Sequence, residues 1–226
     1  MARHFFYGFV VLALFSCISC ADSAPELILA TGAAVFDYSD ENSLPQMRLA
    51  VFVQMDSEVQ RADSLEMESR ESGYNWRVSS PRLFKNGEKK WACYTNLQPP
   101  VNEPLPAGIY DFRYNDAAGE VASSSFIVAY PKALLTAKAG DVPNLVTGAT
   151  EDIALYDKNN VLIFLGKKRS NWTNNAAILR DFNGAVTKRI CLSADSNRLV
   201  CLMPEELLFE AETAKTDTED DDSDEE

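Results

Sequence analysis

Pro106-Ala107-Gly108-Ile109-Tyr110-Asp111-Phe112-Arg113-Tyr114 is the stretch on which the fold reading turns. Aromatic side chains stand at every second position, with Asp111 and Arg113 between them. A period of two marks a half-buried strand, one face on a core and the other in water. Asn115-Asp116-Ala117-Ala118-Gly119 then supplies turn residues, and Ser125-Phe126-Ile127-Val128 returns. The same grammar recurs upstream. Met47 to Met55 is β-rich and puts Leu49, Val51 and Val53 on one face. Tyr74, Trp76 and Val78 alternate with Asn75, Arg77 and Ser79. Asn86-Gly87 separates Arg82-Leu83-Phe84-Lys85 from Lys90-Trp91-Ala92-Cys93-Tyr94, a dipeptide that suits both positive-φ positions of a type I′ hairpin.

Downstream, residues 131–150 contain two prolines, two glycines and no aromatic, and read as a linker or long crossover. Hairpin signals resume over 151–209. Ile153 to Tyr156 and Val161 to Leu165 flank Asp157-Lys158-Asn159-Asn160, and Val186 to Leu192 follows Asn183-Gly184. Ala176 to Phe182 is open between strand and helix. Pro204-Glu205-Glu206-Leu207-Leu208-Phe209 reads as a short helix, with proline in the first turn and glutamates at the positive end of the dipole. Region 151–209 is either a second small β domain or an extension of the first sheet, since so short a segment makes a marginal core alone.

Residues 106–112 resemble the tyrosine-corner segment of immunoglobulin-like domains, in which a Tyr hydroxyl bonds back to the backbone at a strand corner. The resemblance implies an all-β chain: an immunoglobulin-like β-sandwich over 27–130, then a smaller β-hairpin-rich region. Tyr110 would be the corner, Phe112 the core residue two places on, and Trp76 the buried Trp of strand C. Cys93 lies outside the family's disulfide positions, so the antibody-type bridge is absent.

The two ends differ from the body. Met1-Ala2-Arg3-His4 is followed by an apolar run from Phe5 to Phe15 and then Ser16-Cys17-Ile18-Ser19-Cys20-Ala21, the pattern of an export signal over 1–16. The run is shorter than the ~20 apolar residues a membrane span needs. Leu14-Phe15-Ser16-Cys17 resembles the lipobox of bacterial lipoproteins, in a relaxed form similar to that of spirochaete lipoproteins. Lipidation is expected at Cys17, with Cys20 as the alternative, and residues 17–26 form an anchor or linker. Plain secretion after Ala21 is the other reading. At the far end, Glu212 to Glu226 holds nine acidic residues against one Lys and no aromatic. Residues 210–226 read as a disordered acidic tail.

Charge and composition exclude several functions. The 226 residues carry 21 Lys plus Arg against 34 Asp plus Glu, a net −13 that repels a phosphate backbone, so no nucleic acid is expected. The single histidine, His4, falls in the signal, so the mature chain lacks Ser-His-Asp, Cys-His and His-metal chemistry. No metal-ligand spacing, phosphate loop or dinucleotide fingerprint occurs, so neither metal nor cofactor is expected. Three side-chain sets remain. Glu66, Glu68 and Glu71 form a carboxylate cluster or simply a solvated face. Lys167, Lys168 and Arg169, next to Trp172, form a candidate patch for an anionic ligand. Cys191 and Cys201 fall directly opposite if Asp195-Ser196-Asn197 is a three-residue loop, and a disulfide is then expected between them.

The expected function is that of a membrane-anchored, exported lipoprotein facing periplasm or cell surface. It would be a non-catalytic binding or scaffolding module for a protein or envelope-polymer partner, touching the membrane through its N-terminal lipid. The alternatives are a carboxylate-dependent hydrolase of envelope polymers and a small-ligand carrier with a pocket at 131–150.

Overall fold

In this computed structural model, residues 25–56, 61–101 and 103–209 are described. The signal, Cys17, Cys20 and the acidic tail lie outside them. The chain is all-β, in two sheets. The larger contains β1 (Leu27–Asp37), β2 (Gln46–Met55), β5 (Arg82–Asn86), β6 (Lys89–Leu97), β9 (Thr150–Asp157), β10 (Leu162–Gly166), β11 (Ala185–Ala194) and β12 (Leu199–Leu202), in the order β10-β9-β11-β12-β1-β2-β6-β5. A short β13 (Glu206–Leu207) also pairs with β11. The smaller sheet runs β4 (Asn75–Ser79), β3 (Ala62–Ser69), β7 (Gly108–Asp116), β8 (Val121–Val128). Pairing is antiparallel except between β1 and β12, which run parallel. That pairing makes residues 151–209 a continuation of the first sheet.

The alternating stretch builds the sandwich core as its period requires. Tyr110, Phe112 and Tyr114 are buried against Leu49, Val51 and Val53 of β2, Leu65 and Met67 of β3, and Phe126 and Val128 of β8. The Tyr110 hydroxyl donates to the Pro106 carbonyl at 2.6 Å. Gly108 takes φ +125°, and a Cβ there would lie 2.4 Å from the Glu71 carboxylate. Only glycine fits that corner. Trp76 departs from expectation. It is half-buried on edge strand β4, stacked on Tyr110 at 5.9 Å with its indole N–H on the Gln98 carbonyl. Leu65 and Met67 of the central β3 occupy the middle of the core instead.

Residues 131–150 are a packed crossover. Two 3-10 turns (Lys132–Leu135 and Ala139–Asp141) lead into α1 (Val142–Leu145). They bury Leu134, Ala139, Val142 and Val146 in the same core as Phe36, Leu192, Leu199 and Cys201.

Three local expectations are corrected. The β5–β6 hairpin pairs Asn86 with Lys89, so its central residues are Gly87 and Glu88. Only Gly87 is at positive φ (+60°), the pattern of a II′ turn with glycine first. The segment after Pro204 is strand β13, because the half of β11 not taken by β12 offers it a ladder. Thr187 pairs with Leu207 and Lys188 with Glu206, and Leu208 is buried beyond. Tertiary pairing outweighs the local helix signals there. The Cys191–Cys201 disulfide does not form. Ala194 pairs with Leu199, so the loop is Asp195 to Arg198, four residues, with Asp195, Ser196 and Asn197 all at positive φ. Cys191 therefore faces Leu202, Cys201 faces Leu192, and both are free thiols. A one-residue slip puts the two cysteines on opposite faces. The ambiguous segment resolves as helix α2 (Asn175–Asp181), capped by the Asn174 side chain accepting from the Ala177 N–H at 2.9 Å.

Two substitutions test this packing. A Cβ at Gly32 would meet the Phe126 ring at 2.3 Å. Gly32→Ala should therefore cost about 1–3 kcal/mol by overpacking. Phe112→Ala should cost about 3–5 kcal/mol through lost transfer energy and a cavity. Both are read from denaturant midpoints.

Candidate functional site

Beyond β12 the larger sheet outruns the sandwich and carries its own small core. Ile153 and Leu155 of β9, Ile178 of α2, Trp172, Ala185 and Leu208 are buried together, with Phe164 of β10 and Phe182 against them. Phe164 meets Trp172 at 5.1 Å and Phe182 at 5.2 Å. The Arg169 guanidinium lies over all three rings, at 5.5, 5.1 and 5.2 Å from Phe164, Trp172 and Phe182. Asp181 closes this cage, accepting from the Trp172 indole at 2.7 Å and from Arg169 at 3.0 Å. Its carboxyl is held below the usual range by the Trp172 bond first, against a smaller opposing effect of burial, with Asn171 and Arg169 adding to the lowering. A cation in an aromatic box with a carboxylate is a recognition geometry, and here the chain's own arginine fills it.

The structure thus divides the basic patch. Arg169 is committed to the cage, while Lys167 and Lys168 are exposed, with no ion-pair partner among the described residues. Lys168 reaches the rim of a cavity of about 690 Å³ between α2 and the sheet, walled by Trp172, Asn175, Lys188, Ile190 and Leu207. Lys188 is bound there to Asn175 at 3.2 Å and Glu206 at 3.0 Å. This cavity is not at the 131–150 crossover, where the carrier reading placed its pocket.

On the other side of the lobe, β10 ends the sheet. Val161, Leu162, Ile163 and Leu165 are 54, 47, 37 and 57% exposed. The sequence reading marked this segment as a strand and missed its exposure. It also missed Phe164, Phe182 and Asp181 as partners of the basic cluster. The only visible signal was the density of aromatic residues around Lys167-Lys168-Arg169.

Glu66, Glu68 and Asp111 lie on the solvent face of the smaller sheet, while Asp116 is buried at the end of β7. Glu66 is shared by Arg77 at 3.2 Å and Arg113 at 3.8 Å. Glu68 faces Asp111 across the β3–β7 ladder. Asp111 is bound by Arg70 at 2.6 Å, and that bond, stronger than the slight opposing desolvation, lowers its pKa. Asp116 pairs with Arg61 at 3.0 Å. A glycosidase acid needs a raised pKa, and Asp111 is shifted the opposite way. The thiols are no more reactive. Burial pushes Cys93 and Cys191 up, and Cys201 to about 12. Among the described residues no group of three metal-ligating side chains is assembled, and no helix is long and apolar enough to cross a membrane.

Asp37, at the end of β1, ties the lobe to the sandwich. It accepts from Arg48 of β2 and from Arg189 of β11, both at 2.6 Å. Arg189 also donates to the carbonyls of Met203, Tyr38 and Leu202. No family model matches the chain, and no curated protein is significantly similar to it.

This junction gives a pH prediction. Burial raises the Asp37 pKa, but the bonds from Arg189 and Arg48 together outweigh it, leaving the pKa below 3.8. A depressed carboxylate contributes stability above its unfolded pKa and loses it as pH falls through the folded one. Asp37→Asn should cost about 1–3 kcal/mol at neutral pH, since two half-buried arginines lose their anion. It should also flatten the acid limb of stability below pH ~4. Urea melts of both proteins across the acid range measure this.

Proposed function

We propose that the protein is an exported, lipid-anchored, non-catalytic binding or scaffolding module of a bacterial cell envelope, carried on an immunoglobulin-like sandwich. The observation that carries the binding reading is β10, an edge strand with three large apolar residues, Leu162, Ile163 and Leu165, in water and Val161 exposed just before it. Apolar sheet edges are natural partner sites and a hazard if left idle. The strand order supports the immunoglobulin-like assignment. β1-β2-β6-β5 opposed to β4-β3-β7-β8 parallels A-B-E-D opposed to C′-C-F-G. The Tyr110–Pro106 bond then sits at the start of strand F, and Trp76 falls on C′. Asp111, lowered by Arg70, does not supply the protonated acid that the hydrolase alternative requires.

The lipobox-like Leu14-Phe15-Ser16-Cys17 supports the anchor. From Cys17 to Leu27, the start of β1, about ten residues reach at most ~35 Å, which keeps the sandwich close to the bilayer.

Cys17→Ala should move the protein from the membrane pellet into soluble extract, with mass spectrometry of the wild type showing the acylated N-terminal peptide at Cys17. An acylated peptide beginning at Cys20 would transfer the anchor to the alternative site, and an unmodified N-terminus would remove it. For the binding role, crosslinking in intact envelopes should recover a reproducible partner. Recovery of the protein alone would count against it.

A further inference from the structure

We propose that β10 is a strand-acceptor edge whose occupant is an extended segment of a partner protein, apolar at alternate positions and acidic at both ends. This rests on the binding-module reading and names the class of partner.

The inner side of β10 is taken: Leu162 pairs with Tyr156, Phe164 with Leu155, Leu165 with Ala154 and Gly166 with Ile153. Its outer side meets no strand among the described residues. Proteins guard such edges with charge, proline or polar side chains. The other three sheet ends carry such side chains, although Leu83 of β5 and Val121 and Ile127 of β8 are exposed as well. β5 carries Arg82 and Lys85, β4 carries Asn75 and Arg77, and β8 carries Ser123, Ser124 and Ser125. β10 reads Leu-Ile-Phe-Leu-Gly, with only a bulge between Leu162 and Phe164. The strand is also held in place from one face, because Phe164 is fixed by Trp172, Phe182 and Arg169. A preordered edge loses little entropy on receiving a strand.

Charge selects the occupant. The chain carries −13 overall, yet β10 is bracketed by exposed Lys158, next to Asp157, on one side and by Lys167 and Lys168, with Glu151 on the same cavity as Lys168, on the other. A second copy laid edge to edge brings lysines against lysines, in either parallel or antiparallel alignment, which disfavours self-pairing. The chain's own Glu212 to Glu226 has the right charge, but Ala214 is its only apolar residue, so it has no side chains to cover Leu162, Ile163 and Leu165. A heterologous strand with apolar alternation and acidic ends satisfies both the backbone edge and the lysines.

The test uses the full exported chain and two synthetic peptides of alternating valine and threonine, one ending in glutamates and one in lysines. Amide hydrogen exchange is followed along the four edge strands. The glutamate-ended peptide should slow exchange in Leu162–Gly166 by roughly tenfold or more while leaving the other edges unchanged, and added salt should weaken the effect. Lys167→Glu with Lys168→Glu, both on the surface, should transfer the preference to the lysine-ended peptide. The proposal is overturned by equal protection from both peptides, by none in β10, or by protection at another edge. It is equally overturned if β10 is already protected without peptide, either in proportion to protein concentration or until residues 212–226 are removed. Envelope crosslinking separates the two levels. If wild type captures no partner, the binding reading fails. If Ile163→Lys with Leu165→Lys captures the same partner at wild-type yield, that reading stands and the β10 assignment falls.

Discussion

The parallel seam between β1 and β12 is the constraint on which the rest of the structure depends. Ala34 to Asp37 pair with Leu199 to Leu202 on one side of β1, while its other side runs against β2 over nearly its whole length. Cut there, the chain would leave a sandwich with an open strand and a C-terminal segment whose own core is a handful of side chains. Joined there, nine strands share one sheet, and Leu192, Leu199 and Cys201 are buried with Phe36 and Leu49. Asp37 secures the seam at its end, because one carboxylate receives an arginine from each flank, β2 and β11. The small residues of β1 follow from this position. A strand central to a sheet and pressed by Phe126 has no room at Gly32 for even a methyl group.

That position also explains what the sequence showed and what it hid. The strand with one face toward water announced itself by alternation: Tyr110, Phe112 and Tyr114 are buried, with Asp111 and Arg113 between them. β1 is Leu-Ile-Leu-Ala-Thr-Gly-Ala-Ala-Val-Phe-Asp, buried on both faces across its middle, and so has no alternation to read. Ala30, Gly32 and Ala34 answer a packing demand from the other sheet, and Ala33 one from Ala50 and Val200 of neighbouring strands, which no local pattern encodes. β3 was missed for the opposite reason. Glu66 and Glu68 drew attention as carboxylates, although Leu65 and Met67, which alternate with them, were the core residues. Register was least legible. One more residue in the Asp195–Arg198 loop than expected moved Cys201 from Cys191 to Leu192. β13 and the crossover were likewise set by partners far away in sequence, β11 for one and the sandwich core for the other.

The candidate site was half legible for a related reason. Lys167-Lys168-Arg169 is visible as a run, but its three members have different environments. Arg169 lies across the open side of the aromatic rings, still about half exposed, where its planar cation can cover them and also reach Asp181. The lysines cannot use that box as well, and their compact, strongly hydrated ammonium groups remain in water. A run of like charge in sequence is therefore two objects in space, a plug and a surface.

The same division of labour between the two cations extends over the body. Arg48, Arg70, Arg77, Arg113, Arg169 and Arg189 each bridge strands or elements through carboxylates. Those pairs hold Asp37, Glu66, Asp111 and Asp181 against a cation. The exposed cations beside β10 are lysines, Lys158, Lys167 and Lys168. If β10 receives the proposed strand, the lysines beside that edge would steer the encounter against a chain that is otherwise negative, while backbone groups and Leu162, Ile163 and Leu165 would decide the final seating. Steering acts mainly on the rate of encounter and is screened by salt. The strand ladder and apolar contacts act mainly on the rate of release. Partners that share the acidic ends but not the alternation should thus meet this edge often and leave it quickly, and the selectivity resides in the part of the surface that carries no charge.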